Sequence, residues 1–547
     1  MILPKGVSPK DFEAALAEFR QAVGDEWVFS SEQDVNLYRD AYSILWNEPD
    51  EPIPSAAVAP ASVEEVQAVV RAANKYKVPV YPISTGKNLG YGGSAPNMRG
   101  TVVLDLKRMN KVIEVNDKRN YCIVEPGVSY FDLYNYIQER GLKVMMDIPD
   151  PGWGSPLGNA LDHGVGYTWM NYRDHFGSHC GMEVVLPNGE VMRTGMAAVE
   201  NSVGWGDNKY GFGAYVDGLF AQANFGVVTK MGFWLMPEPE HFLACKVKVQ
   251  NYEDLIPLID TVNYLEDQGI IGHPRYGSQM DPLMLMWEPQ TYKPTPELLE
   301  LNSRPGGATV EEYTAYARKH GVEFWNVTLN FYGPKKTVYA NWEYCQEKFA
   351  AIKGATFEEL ESYPLPISKE NKKKMTHQVA LGIPNMSVFS IGARSDMSPE
   401  PDDGHAWFAP IVPRSGEEFI KVHKVFTKMA RDMNITNAPI AVTNVPQTWQ
   451  YRTYVALFPV FVSRSNKALN KQTYEFFRAM VLEGAKHGWT EYRAAPAFQD
   501  LVASTYSFNN NILLRYQTHL KDAADPNGII APGRGGIWPK RYREDKS

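Results

Sequence analysis

The sequence predicts an α+β fold in two parts, on three observations. Over the first 240 residues, short β-branched runs mix with amphipathic helical patterns. Near residue 241 that pattern gives way to scattered Pro and Trp, and beyond about residue 490 dense Gly and Pro punctuation returns. These shifts divide the chain into a first domain over 1–240, a second α+β domain over 241–490 and a C-terminal segment over 491–547. The elements of the first part do not alternate regularly enough for a doubly wound sheet.

Taken in order, Ser62 followed by Glu65 reads as a capping box, and Val63, Val66, Val69, Val70 and Ala73 then recur at helical spacing. Val78 to Ile83, Thr101 to Leu106 and Tyr121 to Val124 are short β-branched runs bounded by Gly, Pro or charge, and are predicted strands. A helix is expected from Tyr130 to Arg140. Met182–Leu186 and Glu190–Thr194 flank Pro187-Asn188-Gly189, a hairpin turn, and Gly226 to Lys230 opens a strand that stops at Pro237. In the second part, helices near Thr337–Ile352 and Ser415–Met433 alternate with strands at Glu323–Phe331 and Tyr454–Val462, and Pro294 to Ala308 reads as a surface excursion.

Composition excludes several classes. Of 547 residues, 44% are hydrophobic and 22% charged, which is globular rather than disordered or coiled-coil. A net charge of −8 without a basic run argues against nucleic-acid binding, and no apolar stretch is long enough to span a membrane. No export signal is evident at Met1 to Gly6, and the cysteines (Cys122, Cys180, Cys245, Cys345) form no C-x-x-C pair. A cytoplasmic location is therefore expected. Aromatic residues reach 12%, as a large core or a pocket for a flat ligand would require. His175, His179 and Cys180 include an i, i+4 pair, but no further ligand lies nearby in sequence, so no metal is expected.

Two glycine-rich stretches carry more information. Ser84-Thr85-Gly86-Lys87-Asn88-Leu89-Gly90-Tyr91-Gly92-Gly93 follows the strand ending at Ile83; its glycines and hydroxyls suit either a phosphate-binding loop or a flexible turn. It is neither a Walker A loop nor G-x-G-x-x-G opening a helix. Asp147-Ile148-Pro149-Asp150-Pro151-Gly152-Trp153-Gly154-Ser155 leads into Gly158-Asn159 and Gly164-Val165-Gly166-Tyr167, and Asn224-Phe225-Gly226-Val227-Val228 forms a further element.

Together, Ser84–Gly93, Pro149–Ser155, Gly181–Gly195, Asn224–Lys230, Glu491-Tyr492-Arg493 and Asp525 to Arg534 resemble the vanillyl-alcohol oxidase/p-cresol methylhydroxylase family of FAD-dependent 4-phenol oxidoreductases, with the bacterial eugenol oxidases as the nearest branch. The likeness runs over nearly the whole chain, and several motifs in the correct order are more specific than any one. It implies an FAD domain built from both ends of the chain, with a cap domain inserted between them, and a homodimer or higher oligomer. It implies oxidation of a 4-substituted phenol at its benzylic carbon by hydride transfer through a quinone methide. Water addition or desaturation would follow, with O₂ or a cytochrome c partner as acceptor.

Roles for residues follow from the same resemblance. Ser84, Thr85, Gly86, Lys87, Asn88, Leu89 and Gly90 would hold the pyrophosphate; Pro149, Gly154, Ser155, Asn159, Asn224, Gly226 and Val228 would line the cofactor; Arg534 would face flavin N1 and C2=O. A phenol has a pKa of roughly 10, so the site must stabilise the phenolate. Tyr91, Tyr492 and Arg493 match the family's phenolate clamp, although an adjacent Tyr-Arg pair alone could equally be a surface pair. Asp150 matches the carboxylate near the reacting carbon, a general base; capping of its turn is the plain alternative, and Asp147 is assigned to the turn itself. Tyr167 matches a pocket tyrosine that either touches substrate or only packs. Gly404-His405-Ala406-Trp407-Phe408-Ala409-Pro410 resembles the segment, expected here as a cap loop, whose histidine bonds covalently to flavin. Its Trp-Phe-Ala-Pro half is nearer the cytochrome-linked members, which attach flavin through tyrosine.

One stretch departs from the family. Where the oxidases carry Arg-Glu-Met-His-His near the substrate, this chain reads Val445-Pro446-Gln447-Thr448-Trp449-Gln450-Tyr451. That change points to a larger or differently substituted phenol, such as a lignin-derived fragment.

Overall fold

The computed structural model describes residues 2–287, 294–387, 403–448 and 450–543. The helix Val63–Tyr76 starts where Ser62 Oγ accepts from the Glu65 N–H, and it buries Val66, Val69, Val70 and Ala73. Only half of the expected capping box forms, because the Glu65 carboxylate accepts from the Ala61 N–H at 2.7 Å. This helix and Pro9–Val23 pack against a four-stranded sheet of order Val28–Phe29, Ala57–Val58, Val102–Asp105, Val80–Ile83. Val80–Ile83 and Val102–Asp105 run parallel, as the crossover between them allows.

A second, antiparallel sheet has the order Val112–Asn116, Tyr121–Val124, Val227–Trp234, His179–Val185, Val191–Arg193. Its last hairpin turns at Pro187-Asn188-Gly189, where Gly189 takes φ +81° and the Gly189 N–H reaches the Leu186 carbonyl at 2.8 Å. Tyr130–Glu139 forms the expected helix, with a complete capping box between Ser129 and Asp132.

The C-terminal stretch returns to the first sheet. Val80 N–H donates to the Ile529 carbonyl, and Ala531 N–H to the Val80 carbonyl, each at 2.7 Å. Lys521 is wholly buried behind this join, its Nζ donating to Asn224 O, Asp525 Oδ2 and Ile530 O at 2.5–2.8 Å. Asp525 in turn accepts from the Ile529 and Ile530 N–H groups. A buried cation with every donor engaged fixes the path of the chain into Arg534.

Between these ends lies a four-stranded antiparallel sheet of order Arg275–Gly277, Trp325–Gly333, His241–Val249, Thr356–Pro364. Leu255–Asp267 and Lys335–Phe349 bury Leu258, Ile259, Val262, Trp342 and Phe349 in the large core cluster that this sheet shares. A buried ion network joins it to the first part of the chain: Glu266 pairs with Arg173 and, at 2.8 Å, with Arg414, which also reaches Asp267 at 2.6 Å.

Three expectations change. Within Pro294–Ala308, a helix runs Pro296–Ser303, N-capped by Thr295 Oγ1, and buries Leu298 and Leu301; a run of this length with only two inward residues carries little periodicity. The expected strand Tyr454–Val462 is two, since Thr453–Val455 pairs with Pro410–Pro413 while Phe458–Ser463 pairs with Asp403–Phe408. From Tyr454 to Ser463 the residues of both strands are buried, so no polar alternation marks where the chain changes sheet. His405 therefore lies on a strand, opposite Phe461, and not in a loop. Among the described residues no helix is long and apolar enough to cross a membrane.

Candidate active site

One cavity of about 270 Å³ runs from the edge of the first sheet to the inserted half. Its walls include Ser84, Thr85, Gly86, Lys87, Asn88 and Leu89, then Pro149, Asp150, Gly154, Ser155 and Asn159. Gly226, Val228, His405, Arg493 and Arg534 complete the set of expected residues found there, together with Tyr91. Motifs more than 400 residues apart in sequence thus meet at one site.

The Ser84–Gly93 loop is a tight irregular turn. Gly86, Gly90, Gly92 and Gly93 all have positive φ, and the Tyr91 and Gly93 N–H groups both return to the Asn88 carbonyl. Gly90 is required for space as well as conformation: a Cβ there would lie 2.5 Å from Trp407 Cδ1 and 2.9 Å from His405 Cδ2. The opposite wall is the Pro149–Ser155 turn. It is held by Gly152 N–H to the Asn385 carbonyl at 2.9 Å and by Tyr130 N–H to the Gly154 carbonyl at 3.0 Å.

Asp162, which the sequence did not single out, organises the charged end. Its carboxylate accepts from Asn88 Nδ2 at 2.8 Å, pairs with Arg534, and lies 3.6 Å from Arg493 Nη1. Arg493 spreads its guanidinium 4.0 Å from the Tyr91 ring centroid and 5.3 Å from that of Tyr492. Burial opposes the Arg493 charge, but Tyr492, Tyr91 and Asp162 together outweigh it and raise its pKa. Burial also raises the pKa of both tyrosines, against the pull of Arg493, so their hydroxyls stay protonated donors. Tyr492 Oη and Arg493 Nε are buried without a hydrogen-bond partner, as donors that face an anionic ligand would be. Tyr492 itself borders a second cavity beyond Arg493.

The two aspartates of the turn have different places. Asp147 is 2% exposed and fully committed: Oδ2 accepts from the Tyr167 and Thr168 N–H groups, and Oδ1 lies 2.6 Å from His175 Nε2. Asp150 faces the cavity, with Oδ2 accepting from Tyr167 Oη at 2.5 Å. Tyr167 therefore touches the carboxylate rather than the cavity wall. Its ring stands edge-on to the buried His273 and the half-buried His377, 5.1 and 5.3 Å away, and desolvation holds both well below the ordinary histidine pKa. Thr448, in the stretch that departs from the family, bonds to His273 at 3.1 Å; Trp449 of that stretch lies outside the described residues.

Asn224 is not among the cavity's lining residues: its Nδ2 donates to the Ala531 and Ile537 carbonyls at 3.2 and 2.8 Å, while its Oδ1 is buried without a partner. It secures the turn that carries Arg534. His175 and His179 have carboxylate partners that spacing could not reveal, Asp147 and, at 2.9 Å, Asp217. Trp287, Trp407 and Leu457 also line the cavity; Trp407 belongs to the Gly404–Pro410 segment, and Trp287 had no signal beyond the aromatic excess.

The cavity suits FAD on two observations. The loop 84–93 is kept free of side-chain bulk at its glycines, and His405, 1% exposed, has neither ring nitrogen hydrogen-bonded. Burial pushes the His405 pKa down to about 3, leaving a neutral imidazole at the cavity wall beside Tyr42 and Trp407.

Residues 54–195 match a protein-family profile for an FAD binding domain. The flavoprotein subunit of 4-cresol dehydrogenase (hydroxylating) from Pseudomonas putida is 33% identical over 538 residues, 98% of each chain. The structure of 4-ethylphenol oxidase from Gulosibacter chungangensis, an isoeugenol complex, superposes with a TM-score of 0.83 at 35% identity, over 99% of this chain and 100% of that one. Substrate-bound p-cresol methylhydroxylase gives 0.84 at 32% identity, over 98% and 99%. With the same two-part fold, an FAD-binding cavity and identity sustained from end to end, the chain belongs to the vanillyl-alcohol oxidase/p-cresol methylhydroxylase family of FAD-dependent phenol oxidoreductases.

Proposed function

We propose that the protein oxidises a 4-alkylphenol at its benzylic carbon, giving the alcohol, carbonyl or conjugated alkene. The observation that carries this is the pairing, across one cavity, of Arg493 and Tyr91 with the Asp150 carboxylate, with the Tyr492 ring beside Arg493. A substrate whose only anionic group is a carboxylate would not need the two tyrosines. Residues 1–240 with 491–547 form the cofactor domain on this reading, and 241–490 the cap.

FAD bound along Ser84–Gly90, Pro149–Asn159, Gly226 and Val228, with Arg534 at its polar edge, supplies the hydride acceptor. The protein's own residues do the rest. Arg493 and the two tyrosine hydroxyls hold the phenolate oxygen, which lowers the barrier to hydride loss from the para substituent. Asp150 takes the proton of the water that adds to the resulting quinone methide, and Tyr167 keeps that carboxylate oriented. His405 carries the flavin covalently, supported by its neutral, unbonded imidazole in the cavity wall.

Electrons pass onward to O₂, yielding hydrogen peroxide, as the name of the Gulosibacter relative suggests. Transfer to a cytochrome c partner is the second reading, because the Pseudomonas relative is named as the flavoprotein subunit of a dehydrogenase. A homodimer rests on the family likeness alone, and sedimentation of the purified protein measures it. Turnover of a panel of 4-alkylphenols with peroxide detection tests the function. Stoichiometric peroxide and reoxidation of the reduced enzyme within seconds in aerated buffer support the oxidase, whereas reoxidation over minutes sinks it.

A further inference from the structure

At the charged end of the main cavity one carboxylate serves two arginines. Asp162 is 8% exposed and lines that cavity, as Arg493 and Arg534 do. Its Oδ1 pairs with Arg534, while its Oδ2 accepts from Asn88 Nδ2 at 2.8 Å and lies 3.6 Å from Arg493 Nη1. The sharing is unequal. Arg534 is in hydrogen-bond contact, whereas Arg493 lies just beyond that range, within reach of a small movement of either side chain.

Counting charge shows what the arrangement can do. Arg493 and Arg534 contribute two positive charges and Asp162 one negative, which leaves an excess of +1. The neighbouring titratable groups add none. Burial lowers the His163 pKa, raises those of Tyr81, Tyr91 and Tyr492, and holds the Glu491 carboxyl well above the ordinary carboxylate range. One further anion therefore balances the site, and the proposed chemistry sets that anion first against one arginine and then against the other. A phenolate lies against Arg493. When its benzylic C–H bond breaks, the hydrogen leaves with both bonding electrons for FAD and the phenolate becomes a neutral quinone methide. The negative charge has then crossed to the side of Arg534.

We propose that Asp162 is a counterion that exchanges arginines as this charge crosses the site: it pairs with Arg534 while a phenolate engages Arg493, and turns to Arg493 once the charge has passed to the Arg534 side. The unequal sharing in the structure is the arrangement that suits the first stage, with Arg493 released toward the substrate. Each arginine then faces one anion throughout turnover, and neither is left buried without a partner, a costly state. The Asn88 amide on Oδ2 keeps the carboxylate between the two. Asp162 acts through the arginines and is a positioning residue.

The inference rests on the proposed phenol chemistry, and its test separates the two. Binding of 4-cyanophenol, which has no benzylic C–H bond to lose, is measured by anaerobic calorimetry on the oxidised and the photoreduced holoenzyme. In the wild type, affinity should fall about tenfold or more on reduction, because Asp162 has by then taken Arg493. In Asp162→Asn the ratio should shrink to what direct repulsion between the two ligand charges leaves. The flavin midpoint potential of that variant should rise, since Arg534 no longer shares its charge with a carboxylate. A wild-type ratio near one overturns the proposal, as does an undiminished ratio in Asp162→Asn or a midpoint potential that stays or falls. Should Asp162→Asn fail to retain FAD, Asp162→Ser is compared in its place, and a wild-type ratio near one still overturns the exchange. If 4-cyanophenol does not bind the oxidised wild type, the phenol reading itself has failed, and the exchange falls with it.

Discussion

The Tyr167 hydroxyl donates to Asp150 at 2.5 Å, while the Tyr167 N–H is held by Asp147, so two aspartates three residues apart grip one tyrosine from different sides. Only Asp150 faces the cavity. Asp150→Ala should cut turnover by roughly 10²-fold with FAD retained, as expected for loss of a general base. Asp147→Ala should instead lose stability, because His175 and the Thr168 N–H would be left buried without their acceptor, at about 3 kcal/mol or more. Steady-state rates and urea midpoints on both variants check the assignment, and exchanged phenotypes would refute it.

Arg493→Leu removes the cation of the clamp. A charge-assisted hydrogen bond of about 1.5–3 kcal/mol predicts flavin reduction slower by roughly tenfold or more at neutral pH. The deficit should shrink as pH rises toward the phenol's own pKa, since the substrate then ionises unaided. An unchanged rate at pH 7 in rapid-mixing experiments would remove Arg493 from the mechanism.

His405 has a test independent of activity. Acid-precipitated wild-type protein should stay yellow, and His405→Ala should release its flavin to the supernatant. Free flavin from the wild type would reduce His405 to a pocket residue; a yellow pellet from the variant would point to a tyrosine link.

A buried histidine far from the cavity predicts how stability varies with pH. His423 is 1% exposed, with Nδ1 bonded to Tyr252 Oη at 3.0 Å and Nε2 to the Asn444 carbonyl at 2.8 Å, and burial pushes its pKa down to about 4. Above pH 6.5 it is neutral folded and unfolded, so its contribution is complete. As pH falls from 6.5 toward 4 the unfolded chain takes up the proton first and stability drops, by at most about 1.4 kcal/mol per pH unit. His423→Gln should therefore be less stable than wild type at pH 8 yet lose less stability between pH 6.5 and 4.5. Parallel slopes in chemical denaturation would contradict this.

Local patterns were legible where a helix or strand shows one face to water. The start of Val63–Tyr76 was read from its cap and periodicity, and Tyr130–Glu139 to within one residue. The loop 84–93 and the turn 149–155 were legible through glycine, because close backbone approach leaves that trace. What could not be read depends on partners distant in sequence. Asp162 matters only because Asn88, Arg493 and Arg534 converge on it, and the hold of Asn224 on the Ala531 and Ile537 carbonyls could not be read because those partners lie about 300 residues on. His273 and His377 carry no local signal of the tyrosine between them.

Anaerobic titration of the flavin absorption band tests the proposed chemistry most directly. One equivalent of a 4-alkylphenol such as 4-ethylphenol should bleach the oxidised flavin, and Arg493→Leu should slow that bleaching, while lactate and glycolate leave the band intact. Bleaching by a 2-hydroxy acid but by no 4-alkylphenol would contradict it.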